Sequence, residues 1–191
     1  IPLDYVCLVR DGTPTHEGVY EATISPDDPL GPPVSGRVID HPAVTELGRS
    51  VASLLGGSGL LNVDVLQAAD GGLWVIDVNA RAWGSVLALR SADADFVTAY
   101  LDLLLNRAPV GDLKPLRVGA PFTYFPSGVE ARWRAGDRWA AVMAWARSGF
   151  RFVRWVGPRY TLAATLVLAL PGLEWRSRRL RRFFTSFRRR P

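Results

Sequence analysis

Residues 61–81 read LNVDVLQAADGGLWVIDVNAR, and this stretch decides the fold. Two segments rich in β-branched and aromatic residues, 60–66 and 73–79, flank the dipeptide Asp70-Gly71. Asp-Gly is a strong signal for a two-residue hairpin loop, because a type I′ turn requires positive φ at both central positions. The stretch therefore predicts a β-hairpin.

The two faces of this hairpin differ sharply in polarity. Side chains two residues apart share a face of a strand, so a two-residue loop puts Asp64 directly opposite Asp77 and Asn62 directly opposite Asn79. These four side chains form one polar face. The other face is apolar, and we expect it to be core: Leu61, Val63, Val65, Trp74, Ile76 and Val78.

Two carboxylates directly opposite each other on a sheet repel and lower its stability. A proton or an arginine could offset this repulsion, but a hard divalent cation does so most simply. Oxygen atoms of Asp and Asn are ligands that Mg²⁺ uses, with phosphates and water completing its octahedral shell. The polar face therefore predicts a magnesium site.

The hairpin also resembles a known family. Residues 62–66 (NVDVL), the Asp-Gly turn and residues 74–85 (WVIDVNARAWGS) are similar to the C-terminal core of ATP-grasp enzymes. D-alanine–D-alanine ligases have the same acidic strand, turn and acidic-x-Asn strand. Carbamoyl phosphate synthetases and related ligases add an arginine two residues after the Asn, where this chain has Arg81. The resemblance covers roughly residues 1–150, and Asp77 stands where the family usually has Glu.

This resemblance implies an ATP-dependent, Mg-dependent ligase. It would form an acyl phosphate from a carboxylate and transfer the acyl group to an amine or similar nucleophile. By resemblance, Arg81 is the catalytic residue that steadies the phosphoryl or acyl-phosphate oxygens. The metal ligands for Mg²⁺ or Mn²⁺ would be Asp64, Asp77 and Asn79, and the ATP contacts would be Ser35, Arg37, Arg81 and Ser85. An exposed loop arginine is an equally good interpretation of Arg37.

Other segments predict an α+β fold, the C-terminal subdomain of an ATP-grasp fold with an antiparallel sheet, packed helices and a helical C-terminal extension. We divide the chain into residues 1–110 (metal and phosphate wall), 111–158 (a family-associated segment) and 159–191 (an apolar segment and an Arg-rich tail). The expected helices are 41–55, 95–107 and 137–147, and two further short strands are expected at 116–125 and 128–133. Asp4 could match an acidic residue that the family carries near the start of this strand, but we favour a solvated strand end. We interpret Asp93 and Asp95 as residues at a helix N-terminus rather than as ligands.

Composition limits the function classes. Of 191 residues, 48% are apolar, enough for a real core. The single cysteine excludes an intramolecular disulfide and any cysteine-based metal cluster. Lys114 is the only lysine, and it follows the metal hairpin, whereas ATP-grasp enzymes contact the nucleotide phosphates with a lysine on an earlier subdomain. We therefore expect a fragment that lacks the N-terminal half and is inactive by itself. No secretory signal is visible. The single cysteine fits a reducing compartment, so we expect the protein in the cytoplasm or at the periphery of a membrane.

The C-terminal tail carries much of the positive charge. Subtracting its eight arginines from the formal net charge of +5 leaves about −3 for the rest of the chain. A solvated tail, an anionic membrane surface and nucleic acid are all open as interpretations, and nucleic acid is the least favoured. The competing function is therefore a non-catalytic membrane-surface or nucleic-acid binding module. The tail arginines within residues 176–191 are Arg176, Arg178, Arg179, Arg181, Arg182, Arg188, Arg189 and Arg190.

Overall fold

A computed structural model describes residues 1–24, 33–107, 116–124 and 127–146. Its centre is a six-stranded antiparallel sheet in the order β5-β4-β1-β2-β3-β6. This architecture confirms the α+β fold class. The strands are β1 (Pro2–Arg10), β2 (Thr13–Ile24), β3 (Pro33–Ile39), β4 (Gly59–Gln67), β5 (Leu73–Asn79) and β6 (Pro121–Thr123), and the α-helices are α1 (Pro42–Leu55), α2 (Phe96–Leu104), α3 (Ser127–Arg134) and α4 (Arg138–Ala144).

Helix α1 covers one face of the sheet. The His41 side chain accepts a hydrogen bond from the Val44 backbone N–H at its start, and Gly56 ends it in the left-handed conformation at φ 66°. Gly48 lets the helix approach β1, because a Cβ there would lie 2.2 Å from the Tyr5 ring. The buried residues of this side are Leu3, Tyr5, Cys7, Val9, Val19, Val44, Ala52, Leu61, Val63 and Val65.

The opposite face of the sheet packs against the segment between β5 and β6. This segment contains a short 3-10 helix, Ala88–Ala92, and then α2, which begins at Asp95. The Asp95 carboxylate accepts a hydrogen bond from the Thr98 backbone N–H, so the expectation of a helix N-terminus is confirmed. Asp93, at φ 67°, ends the 3-10 helix and forms an ion pair with Arg117. The second core therefore lies between β1, β2, β3 and this segment.

Residues 128–133 were expected to be a strand, and this was wrong. They lie in α3, in which Glu130 accepts a hydrogen bond from Arg134 one turn later. The following helix, α4, begins after Asp137, whose carboxylate accepts a hydrogen bond from the Ala140 backbone N–H. The segment GVEARWR lacks the strict alternation of apolar and polar residues that a half-buried strand needs.

The apolar face of the hairpin was only half right. Leu61, Val63 and Val65 on β4 are buried. On β5, the partners of Val63 and Val65 are Val78 and Val75, which are 40% and 43% exposed. Trp74 pairs with Leu66 and therefore lies on the face opposite α1, and Ile76 is an unpaired bulge residue; both are exposed. β5 is the edge strand of the sheet, and the buried residues of α1 cluster with β4 and β1. The expectation of a core on both strands therefore failed for two reasons. Within the described residues, the buried part of the α1 core does not extend to β5, and the register of the hairpin turns Trp74 to the other face.

The division into residues 1–110, 111–158 and 159–191 stays a prediction. Both ends of the second segment and the whole of the third segment lie outside the described residues. No helix in the described part of the chain is long and apolar enough to span a membrane.

Candidate functional site

Strands β4 and β5 bring the predicted carboxylates together. Asp64 pairs with Asp77 and Asn62 pairs with Asn79, as the sequence predicted. Paired residues on neighbouring strands have side chains on the same face. The carboxylates of the hairpin and both asparagines therefore lie on one side of the sheet, opposite to α1.

The turn that produces this register differs from the prediction. The Gly71 N–H bonds to the Ala68 carbonyl and the Ala68 N–H to the Gly72 carbonyl, so the loop contains three residues rather than two. Gly71 has φ 87°, whereas Asp70 is not among the residues with positive φ, which excludes type I′. The longer loop shifts the pairing by one residue. A bulge at Ile76, between the pairs Val65–Val75 and Asp64–Asp77, shifts it back.

A third carboxylate extends the pair into a row. Asp4 on β1 pairs with Asp64 on one side and with Tyr20 of β2 on the other. Asp77, Asp64, Asp4 and Tyr20 therefore occupy the same level of four adjacent strands. Exposure decreases along the row, from the exposed Asp77 to the fully buried Tyr20.

Hydrogen bonds connect this row to the two asparagines. Asn62 donates from Nδ2 to Asp4 Oδ1 at 2.9 Å. Asn79 donates from Nδ2 to Asn62 Oδ1 at 3.5 Å and to Asp77 Oδ2 at 2.9 Å. Asp77 Oδ1 accepts a further bond from the Val78 backbone N–H at 2.9 Å. Asp4 is thus a bonded member of the site, and its interpretation as a solvated strand end was wrong.

The environment of Asp4 favours its protonated form. Burial, followed by the hydrogen bond with Asp64 and its negative charge, raises the pKa of Asp4 to about 7, while the hydrogen bond from Asn62 acts in the opposite direction. A proton shared in this row reduces the repulsion between directly opposed carboxylates. At Asp4, on the buried side of the row, a proton can therefore reduce this repulsion in place of a cation.

Ser85 lies at the buried end of the row. Its side chain is fully buried, and its hydroxyl forms a 2.8 Å hydrogen bond with the Tyr20 hydroxyl. The Tyr124 hydroxyl lies 3.4 Å from that of Tyr20. Burial and the charge of Asp4 raise the pKa of Tyr20 well above its usual value. In this arrangement Ser85 supports Tyr20, and its predicted contact with ATP stays a prediction.

The donor atoms on the outer side of the row fit a hard cation. Asp64 and Asp77 provide carboxylate oxygens, and Asn79 Oδ1 accepts no hydrogen bond from the described residues. In the same part of the chain, no group of three or more His, Cys, Asp or Glu could hold a metal ion by itself. The protein would thus supply two carboxylates and one amide. Phosphate and water must complete the shell, as is usual for Mg²⁺.

Arg81 follows β5, two residues after Asn79. Its side chain is exposed, and its Nη1 donates to the Ala82 carbonyl at 3.1 Å. Among the described residues, no carboxylate forms an ion pair with Arg81. Arg81 also lines a small pocket of about 120 Å³, whose wall includes Leu61 and Tyr100. The guanidinium is thus available to an anion.

Ser35 and Arg37 lie elsewhere on the sheet. Both are on β3, three strands from β4. Val38, the neighbour of Arg37, pairs with Tyr20 and shares the face of the carboxylate row. Arg37 is therefore on the opposite face. The structure does not bring these two residues together with the metal candidates, and their contact with ATP stays a prediction.

Sequence reasoning missed the roles of Tyr20 and Tyr124, and for Asp4 it weighed a match to an acidic family residue but favoured a solvated strand end. A signal for Asp4 was present, because it is the single charged residue in PLDYVCLV, an otherwise apolar strand. An acidic residue inside such a strand requires a partner or a proton. Tyr20 and Tyr124 carry no comparable signal, since buried tyrosines are common in cores.

A scan against protein-family models and a search of curated proteins returned no match. The solved structures that are similar include a phosphoribosylaminoimidazole carboxylase ATPase subunit from Aquifex aeolicus, at 11% identity and a TM-score of 0.49, covering 71% of this chain and 54% of that one. Another is an L-amino acid ligase from Bacillus licheniformis, at 18% identity and a TM-score of 0.44, covering 60% of this chain and 32% of that one.

The chain spans about half the length of the first of these structures and about a third of the second. At these identities and TM-scores the likeness concerns the path of the chain alone. Metal, substrate and activity must be argued from the residues of the site.

Proposed function

We propose that this chain is the metal-binding and phosphate-binding part of an ATP-grasp ligase. In this proposal Asp64, Asp77 and Asn79 hold Mg²⁺ or Mn²⁺ on the phosphates of ATP. The observation that carries it is the direct pairing of Asp64 with Asp77 on an open face of the sheet. A binding module that uses only the Arg-rich tail has no need for two opposed carboxylates.

The proposed reaction has two steps. A substrate carboxylate attacks the γ-phosphorus of ATP, so that an acyl phosphate forms and ADP leaves. An amine or similar nucleophile then attacks the acyl carbon, and inorganic phosphate leaves. Such chemistry depends mainly on positioning and on neutralising charge. Arg81, exposed and without a carboxylate partner in the described region, is suited to the second of these tasks.

The partners of this reaction are proposals as well. A small carboxylate and an amine would be the substrates, in the cytoplasm. Contact of the Arg-rich tail with anionic membranes stays a prediction, because residues 176–191 lie outside the described part of the chain.

The first test is a Mn²⁺ titration of the 191-residue chain, followed by electron paramagnetic resonance of the free ion. We expect Asp77→Asn to weaken Mn²⁺ binding at least tenfold, since it removes a ligand charge at nearly constant volume. Asp70→Asn is the matched control. It alters the charge of an aspartate in the same hairpin, where Asp70 Oδ1 only accepts a bond from the Gly72 N–H. Equal affinities of all three proteins, or no binding by the unaltered chain, would contradict the metal site.

A second test concerns the nucleotide. We expect the 191-residue chain to bind Mg-ATP only weakly, because a cleft with two walls needs contacts from both of them. Calorimetry measures this directly. Binding in the micromolar range would mean that these residues hold the nucleotide by themselves, and it would contradict the expected division of the cleft.

A further inference from the structure

Asn62 is the buried centre of the hydrogen bonds at this site, and it is only 3% exposed. An amide side chain has a donor end, Nδ2, and an acceptor end, Oδ1. Turning such a group by 180° exchanges the two ends without changing its shape. The direction in which Asn62 lies therefore determines which end its neighbours meet.

Asp4 determines that direction. Its Oδ1 is the acceptor for Asn62 Nδ2 at 2.9 Å, which leaves Asn62 Oδ1 directed towards β5. A flipped Asn62 would place two oxygen atoms next to each other at the carboxylate. That arrangement costs the hydrogen bond and adds repulsion at a buried position.

Two acceptors, Asn62 at 3.5 Å and Asp77 at 2.9 Å, together orient the Asn79 amide. Its Nδ2 donates to Asn62 Oδ1 and also to Asp77 Oδ2, so both acceptors lie at its donor end. Asn79 Oδ1 is then the end without a hydrogen bond among the described residues. This matters because a hard cation binds an amide through oxygen and not through nitrogen.

We propose that Asp4 is a positioning residue that, through Asn62, orients the Asn79 amide so that its Oδ1 is presented to a cation held by Asp64 and Asp77. This role rests on the proposed function for its cation. It assigns to Asp4 no contact with the metal. Asp4 acts across three strands, β1, β4 and β5, through two side-chain amides.

Two substitutions separate orientation from charge. Both Asp4→Asn and Asp4→Leu replace the ionisable carboxyl group next to Asp64 with a neutral side chain. Only Asp4→Asn keeps an oxygen that accepts from Asn62 Nδ2. We expect Asp4→Asn to bind Mn²⁺ within about threefold of the unaltered chain, and Asp4→Leu to bind at least tenfold more weakly than Asp4→Asn. Mn²⁺ titrations of the full 191-residue proteins measure this ratio.

The side-chain amide signals of Asn62 and Asn79 in ¹H–¹⁵N spectra give a second reading without metal. They should keep their chemical shifts and slow exchange in Asp4→Asn. In Asp4→Leu they should move and exchange faster with water, while the backbone amide signals of α1 stay in place and report an intact fold. A Leu variant that does not fold is replaced by Asp4→Ala, which removes the same acceptor.

The outcomes separate the two proposals. Equal loss of Mn²⁺ affinity in Asp4→Asn and the apolar variant would mean that Asp4 contributes charge alone, and it would overturn the positioning role while the metal site stands. Unchanged asparagine signals in the apolar variant would overturn it as well. Absence of Mn²⁺ binding by the unaltered chain would contradict the proposed function and, with it, the use of Asn79 Oδ1 for a cation.

Discussion

β4 and β5 belong to one hairpin and have similar patterns of apolar residues, yet β4 is mostly buried and β5 is mostly exposed. β4 lies between β1 and β5, and its residue Val63 is fully buried. Val78, the residue directly opposite on β5, is 40% exposed. The difference is one of neighbours. β5 is the last strand of the described sheet, and the fully buried residues of the α1 core lie on β1, β2, β4 and α1, whereas β5 contributes only the partly buried Leu73. An apolar pattern thus indicates that a strand can be buried, whereas the topology determines whether it is.

The largest effect on stability should come from α1, the helix that packs on β1 and β4. A Cβ at Gly48 would lie 2.2 Å from the Tyr5 ring, and Tyr5 is fully buried. We expect Gly48→Ala to lower the free energy of unfolding by about 3 kcal/mol or more, because α1 must move away from β1. Urea denaturation measures this loss of stability. Gly57→Ala is the control, since a Cβ at Gly57 meets nothing within 4 Å, and equal losses would mean that α1 does not pack as described.

The next prediction compares the paired valines themselves. Val63→Ala removes two buried methyl groups and should cost about 2 kcal/mol, plus the cost of the cavity that remains. Val78→Ala removes the same groups from a partly exposed position on the edge strand, and we expect less than about 1 kcal/mol. Chemical denaturation of both variants tests the comparison. Similar costs would show that β5 is covered in solution.

An effect that is smaller per pH unit, but that accumulates over the pH range, belongs to Asp4. Its pKa is raised from 3.8 to about 7 in the folded protein, so the folded state keeps a proton that the unfolded state releases between these values. The contribution of Asp4 to the free energy of unfolding is therefore present in full below pH 3.8, and it is lost as the pH rises towards 7. The slope is at most about 1.4 kcal/mol per pH unit. Urea midpoints from pH 4 to 7 should show this slope, and Asp4→Asn should flatten it; parallel curves for the two proteins would contradict the shift.

Much of the local structure could be predicted because its signals are local. Pro42 and Gly56 marked the ends of α1, and alternation along β4 and β5 identified the hairpin. The pairing of Asp64 with Asp77 was confirmed although the expected turn was wrong, because the three-residue loop and the bulge at Ile76 cancel in register. A bulge depends on how two strands twist together, which a turn dipeptide does not specify.

The remaining features depend on contacts between distant segments. Asp4 joins the site only because β1 pairs with β4, and the sequence separation of sixty residues hides this. Ser85 belongs to the segment WVIDVNARAWGS and was predicted to contact ATP, but its hydroxyl forms a hydrogen bond with the Tyr20 hydroxyl inside the core. Neither fact can be obtained from periodicity or from a motif.

The most direct test of the central claim is paramagnetic broadening by Mn²⁺ in ¹H–¹⁵N spectra of the 191-residue chain. If Asp64 and Asp77 hold the cation with Asn79, the backbone amide signals of these three residues should broaden first, at substoichiometric Mn²⁺. Signals of Ser35 and Arg37, on the opposite face of the sheet, should remain sharp. Broadening that begins at another acidic segment, such as Asp93 and Asp95, or that spreads evenly over the chain, would contradict the account.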